Sequence, residues 1–264
     1  MKLNERNYFS RKAEKEYMSV SQFKAFEDCQ AAALAMVKGK YKRPKTTALL
    51  VGSYVDSYFE GTLAEFRAEN PELFKKDGTL KSEFLQAEDI IKRLEKDRLF
   101  MRYMNGEKQV ILTGTIEGVP VKCKIDVLHK DKIVDLKIVK DFRPMYKAEQ
   151  GRLSWYQAWR YDLQGAVYQE LVRQNTGKSL PFYLNAATKE KITDLGIWHI
   201  KQELLDFELA RFKEKLFLYD GIKKGLIPAE RCEKCEYCKM TKKLKAVIES
   251  GDELDEFDFE EEQL

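Results

Sequence analysis

Histidine is almost missing from this chain: His129 and His199 are its only two copies in 264 residues. Neither belongs to an H-E-x-x-H or H-x-E pattern, and G-x-S-x-G and G-x-x-x-x-G-K-[ST] are absent as well. Several hydrolase classes drop out on that ground, and any catalysis must lean on carboxylates and lysine, with or without a metal ion. No apolar run approaches the roughly 18 residues that a membrane-spanning helix needs. The opening residues Met1-Lys2-Leu3-Asn4-Glu5-Arg6 lack the apolar segment of a secretion signal. A cytoplasmic protein with no membrane association is expected. Positive charge is missing from residues 249–264, which hold nine acidic residues and no Lys or Arg. The rest of the chain sets 47 basic against 35 acidic residues, a net of +12 where the whole chain has +3. Such a basic body suits a polyanion or a solvated lysine-rich surface. The acidic stretch 247–264 is expected to be disordered when free.

What is present is an ordinary globular balance, 44% hydrophobic and 34% charged, long enough to bury a real core. Residues 1–16 are polar and read as a loose arm. Ser19 and Ser21 then open a helix that carries Phe23, Phe26, Ala33, Leu34 and Val37 and ends near Gly39. In the segment 38–45, five cations surround Tyr41, a pattern for a nucleic-acid backbone or for a solvated loop. A second helix runs through Leu49, Tyr54 and Phe59, with Gly52 inside it, where close packing against another element is expected. The stretch 61–81 reads as a connecting excursion and 82–104 as a third helix. From 107 to 139 the period becomes two, giving three strands in an antiparallel meander with turns at Glu117-Gly118 and Lys130-Asp131. Helical spacing returns over 148–175, with Trp155, Trp159, Leu163, Val167 and Leu171 on one stripe. Strands at 182–187 and 195–200 and a helix over about 201–224 complete a mixed α/β (α+β) pattern.

The chemistry concentrates on two of these strands. Asp126 alternates with the apolar residues of Val119–Leu128, so it points away from their face. Asp135 and Lys137 share one face of the next strand. If the strands pair, two carboxylates and one ammonium converge, and a divalent cation is the natural relief for the acidic pair. Lys137 would orient a water or steady phosphate charge. Asp-x-Lys alone is a common pattern on solvated sheets. What sets this one apart is a strand, Ile133–Val139, that is otherwise apolar, where charge is expensive unless paired or useful.

Ile125-Asp126, then Asp135-Leu136-Lys137, then Gln164-Gly165-Ala166-Val167-Tyr168 on a helix, resemble the PD-(D/E)xK nuclease superfamily and the Q-x-x-x-Y helix of its RecB-like branch. Gly52-Ser53-Tyr54-Val55-Asp56 resembles the upstream G-x-x-x-H motif with Asp56 in the histidine position. The layout is most similar to phage-type RecE-like exonucleases over nearly the whole chain. The resemblance implies a restriction-endonuclease-like core, a central mixed sheet flanked by helices. It further implies one domain over 1–246: a helical part 17–104, a catalytic core 105–200, and a helix with a cysteine cluster 201–246. It implies Mg²⁺- or Mn²⁺-dependent hydrolysis at DNA ends for homologous recombination. In this reading Asp126, Asp135, the Leu136 carbonyl and Asp56 hold the cation, Lys137 positions water, and Gln164 and Tyr168 hold a phosphate or terminal nucleotide. A RecT-like single-strand annealing protein and a homo-oligomeric ring around DNA are the implied partners. Two further readings stay open: a RecB-like nuclease of the CRISPR-adaptation kind, and a non-catalytic DNA-binding scaffold with a structural metal.

The five cysteines divide by setting. Cys123 alternates toward the apolar face and reads as core. Cys232, Cys235 and Cys238, in a chain with no use for disulfides, read as metal ligands in need of a fourth, for which Cys29 is the candidate. This arrangement is similar to RecB-like nucleases in which such a set binds a [4Fe-4S] cluster, with zinc as the alternative. Lys239, Lys242, Lys243 and Lys245 follow the trio and add positive charge beside any DNA path, unless they are simply solvated.

Overall fold

Residues of alternating character from 107 onward build the centre of the molecule, seen in a computed structural model that describes residues 1–148 and 150–244. The acidic tail expected over 247–264 lies outside the described residues. Strands β1 (Glu107–Ile116), β2 (Val119–Leu128) and β3 (Ile133–Val139) form the expected meander. A small hairpin of β4 (Met145–Lys147) and β5 (Gly151–Leu153) follows, and β6 (Phe182–Thr188) and β7 (Leu195–His199) complete the main sheet in the order β1-β2-β3-β6-β7. β3 and β6 run parallel and every other neighbour antiparallel, so the sheet is mixed. The Glu117-Gly118 turn has φ of 45° and 77°, the left-handed pair that a tight hairpin of this twist requires.

Helices cover both faces. They are α1 (Arg11–Glu16), α2 (Val20–Asp28), α3 (Gln30–Val37), α4 (Thr47–Glu60), α5 (Leu63–Glu69), α6 (Ser82–Glu95), α7 (Arg98–Met104), α8 (Trp155–Ala158), α9 (Tyr161–Thr176), α10 (Gln202–Lys224) and α11 (Glu236–Met240). Phe23, Phe26, Val167, Phe182, Phe212 and Leu216 belong to one core, which joins α2, α9 and α10 to the sheet. Tyr54, Val55, Ile90 and Phe100 of α4, α6 and α7 pack with Val134 and Leu136 in the other. A parallel β3–β6 pair needs a crossover, and α9 supplies it, lying close enough that Gly165 faces the Phe182 ring. A β-carbon at Gly165 would stand 2.2 Å from Phe182 Cδ1. Gly165→Ala should therefore cost about 2 kcal/mol or more in denaturant unfolding, because the helix must lift off β6. An unchanged midpoint would mean that the ring swings aside freely.

Several expected elements are subdivided. The helix read as ending near Gly39 breaks at Cys29, whose extended backbone (φ −167°) separates α2 from α3. The stretch 82–104 breaks where the Asp97 side chain caps α7. The helix expected over 148–175 becomes a hairpin, α8 and α9, because Arg160 takes a left-handed conformation (φ 55°). That residue is fixed by ion pairs to Glu27 and Glu208, and Trp159 beside it is 55% exposed rather than on the apolar stripe. The excursion 61–81 contains α5 and a short 3-10 turn, Pro71–Leu73. The arm is not loose: Leu3, Tyr8, Ala13 and Tyr17 form their own cluster. Fully buried Lys122 reaches up to it from β2, donating to the Tyr8 carbonyl and to Glu14 Oε1. Gly52 is not closely packed either, since nothing lies within 4 Å of a β-carbon placed there.

Candidate active site

β2 and β3 pair through Val127–Val134 and Leu128–Ile133 and then part. Had the register continued, Asp126 would stand opposite Asp135. The ladder stops one pair short, and the Leu136 N–H donates to Asp126 Oδ2 at 2.9 Å instead. A carboxylate thus satisfies a strand amide that would otherwise be orphaned. Asp135 is fully buried. Its Oδ2 forms an ion pair with Lys137 and makes no other hydrogen bond, while Oδ1 accepts from Gln164 Nε2 at 2.7 Å. Gln164 Nε2 also donates to the Tyr168 hydroxyl at 2.9 Å, which donates to the Lys124 carbonyl at 3.1 Å. One turn of α9 is thereby tied to both strands that carry the carboxylates. Lys137 lies over the Tyr161 ring, 5.1 Å from its centre. Asp56, on α4, lines a crevice with Asp126 and Leu136. All the residues expected at the catalytic centre from the sequence therefore meet in one region; their roles are taken up under the proposed function.

Burial dominates the electrostatics. It pushes the Asp135 carboxyl up to about 7 against the pull of Lys137, and Asp126 adds to the rise. Asp56 is held well above the usual carboxylate range by burial and by Asp126, with Lys137 opposing. Burial alone would lower Lys137, but Asp135 and Asp126 hold it above its ordinary value. A buried Asp135 oxygen bonded only to an ammonium, with Asp56, Asp126 and Leu136 lining the crevice nearby, offers hard oxygen donors of the kind Mg²⁺ or Mn²⁺ takes, although among the described residues only the cysteines bring three or more such ligand atoms within 4.8 Å of one another.

A cation must displace the protons these carboxyls hold. With Asp135 titrating near 7, Mg²⁺ should bind roughly tenfold more tightly at pH 8 than at pH 6, read as a ligand-induced thermal shift. Equal affinity at the two pH values would mean that the carboxyls are already ionised. Without metal the sign reverses. A carboxyl whose folded pKa is raised stabilises the fold below its unfolded value, and that stability is lost as pH rises through about 7.

The surroundings add groups that the motifs did not single out. A cleft of about 450 Å³ runs from Asp126 and Tyr168 past Lys124, Ser19 and Ser21 to Phe9 of the arm. Phe9 is 73% exposed. Glu60 faces the same cleft; it follows Asp56 by one helical turn, a spacing that could have flagged it. Lys24 of α2 donates to the Trp159 carbonyl at 2.9 Å. Burial, with repulsion from Lys137 and Arg160, lowers its pKa to about 7. No local pattern marks Lys24, because its neighbours come from distant parts of the chain. The open space at Gly52, one turn before Asp56, leaves that side of α4 free for close approach.

The cysteines form a second centre. The Sγ atoms of Cys29, Cys232, Cys235 and Cys238 all lie within 4.8 Å of one another, with Cys29–Cys238 at 3.6 Å and Cys232–Cys238 at 4.0 Å. The Cys235 N–H donates to Cys232 Sγ and the Cys238 N–H to Cys235 Sγ. Burial would raise the Cys232 thiol, but the backbone N–H groups of Cys235 and Lys234 bring it down to about 6. Four thiolates around one tetrahedral ion at about 2.3 Å stand about 3.8 Å apart. A four-iron cube spreads its outer thiolates to roughly 6 Å. The observed span suits the single ion. Around it, the Ala31 N–H donates to the Glu230 carbonyl and Tyr41 packs on Tyr237, so the C-terminal segment docks on α3. Cys123 is buried in the core and its thiol is pushed up to about 12, as befits an unreactive packing residue.

Residues 19–241 match a family described as "PDDEXK-like domain of unknown function (DUF3799)". Among solved structures, one described as a "putative exonuclease" from Eubacterium rectale is 43% identical with a TM-score of 0.92, covering 94% of this chain and 97% of its own. A second, named SSO0001, is 12% identical with a TM-score of 0.34 over 86% of this chain and 98% of its own, a likeness too weak to bear on fold or function. No curated protein matches. With the Eubacterium rectale structure as its neighbour, the mixed sheet flanked by helices is a restriction-endonuclease-like fold.

Proposed function

Since the chain belongs to this family of PDDEXK-like domains, we propose that it is a divalent-metal-dependent deoxyribonuclease that hydrolyses phosphodiester bonds at DNA ends. The observation that carries this reading is the meeting of Asp126, Asp135, Lys137 and Gln164 where β2 and β3 part. Asp126, Asp135, the Leu136 carbonyl and Asp56 would hold the cation, which supplies Lewis acidity to the scissile phosphate and the attacking water. Lys137 donates to that water and orients it, and its charge offsets the negative charge that builds on the phosphate. Gln164 fixes the Asp135 carboxylate, and Tyr168 fixes Gln164 in turn. The similar structure described as a "putative exonuclease" favours attack at ends. A place in phage-type recombination beside a RecT-like annealing protein, and a ring of subunits, belong to the same proposal. No helix among the described residues is long and apolar enough to cross a membrane, in keeping with action on DNA in the cytoplasm. At the cysteine centre we propose one structural Zn²⁺ in place of the [4Fe-4S] cluster.

End-labelled linear and circular DNA, incubated with Mg²⁺ or Mn²⁺, tests the assignment. Loss of the linear DNA alone is expected. Nicking or cutting of circles would replace the exonuclease with an endonuclease, and cutting of neither would leave the scaffold reading.

A further inference from the structure

Strand β1 interrupts its own ladder at a single position. Glu107–Leu128 and Lys108–Val127 pair, and pairing resumes at Val110–Ile125 in the same register, so the skipped pair is Gln109 and Asp126. Gln109 has a φ of 55°, in the left-handed region that glycine enters freely and a β-carbon penalises. Strain of this kind persists only where the fold over-determines it, and it gathers at working sites. The residue facing it across the gap is the carboxylate that caps Leu136. Gln109 lines both the cleft holding Lys124 and Tyr168 and the crevice holding Asp56 and Leu136. Among the described residues its carboxamide has no hydrogen-bond partner.

A half-buried glutamine whose strained backbone stands opposite Asp126, with its amide donors open to the cleft, is placed to meet a group that arrives from outside. We propose that Gln109 is a substrate-binding residue whose Nε2 donates to a phosphate oxygen of the DNA strand lying beside Asp126. This rests on the nuclease reading and adds a contact that the sequence motifs do not contain. The residue type fits the surroundings. Lys108 and Lys124 already stand among Asp56, Glu60 and Asp126; a further cation would add to the neutralisation of those carboxylates, whereas a neutral amide donates to phosphate without it.

Gln109→Gly and Gln109→Asn separate a binding role from a structural one. Affinity for a short linear duplex is measured with Ca²⁺ replacing Mg²⁺, alongside thermal unfolding. The glycine variant should unfold no earlier than the parent chain, since glycine accepts the left-handed backbone, yet bind DNA about tenfold more weakly. Asparagine tolerates the backbone and keeps a shorter amide, so its affinity should fall between the two. Unchanged affinity, or a lowered unfolding temperature that accompanies the loss, would overturn the proposal. A parent chain that binds the duplex but does not cut it with Mg²⁺ would sink the hydrolase reading alone, and the binding comparison would still decide the role of Gln109.

Discussion

Asparagine at position 135 should give a folded protein that binds DNA and does not cut it. The substitution keeps the shape of the side chain, and its carbonyl oxygen still accepts from Gln164 as Asp135 Oδ1 does now. What it removes is the charge that pairs with Lys137 and the oxygen that has no hydrogen bond beyond that pair. On the proposed mechanism a divalent cation would then lose a ligand, and the phosphate the electrostatic stabilisation that the cation would bring. A drop of about a thousandfold or more in kcat/KM is expected. Lys137→Gln should lose about a hundredfold and carry a second signature. Without the ammonium, Asp135 rises further above 7, so the residual activity should recover toward alkaline pH more steeply than in the parent chain. Measuring nucleotide release across pH 6 to 9 for the three proteins decides the matter. Either variant remaining within tenfold of the parent would remove this pair from the reaction.

On the proposed zinc assignment, Cys29→Ser should strip the ion from the cysteine centre and loosen the C-terminal segment. Structural zinc binding in small domains is worth about 10 kcal/mol or more, a large share of what holds such regions together. The segment it would anchor has little regular structure of its own: α11 spans five residues and the chain before it is irregular. If even about 3 kcal/mol of that is felt globally, the unfolding temperature falls by about 6–12 °C in a chain of this size. Protease cleavage should appear between Leu226 and Leu244 before it appears elsewhere. Elemental analysis of the parent, purified without air, should give about one zinc per chain and no absorbance near 400 nm. A brown protein with about four irons would overturn the single-ion assignment, as would a Cys29→Ser variant with undiminished metal and stability.

The parts of the fold that could be read in advance are those whose signal is local. The period of two over 107–139 marked β1 to β3, because each strand alternates against a nearby partner. Asp126, Asp135 and Lys137 stood out as charges in or beside apolar strands, where burial makes them costly. The helix breaks at Cys29 and Arg160 did not stand out, since apolar spacing continues across both. Arg160 is held in its left-handed turn by Glu27 and Glu208, far away in sequence. The arm looked loose because its few apolar residues are widely spaced, and the buried lysine that tethers it sits on β2. Gln109 was silent for a similar reason: a glutamine in a strand is unremarkable until its backbone angle and its missing partner are known.

Cys29 and Cys238 stand 209 positions apart along the chain yet 3.6 Å apart in space. During synthesis the early thiol therefore stays unmatched until the ribosome has passed position 238. On the proposed zinc assignment, capture of the ion must follow the synthesis of residues 232–238. A product that stopped before residue 232 would carry Cys29 without its three partners, and whatever latch the four thiols form could not close in it.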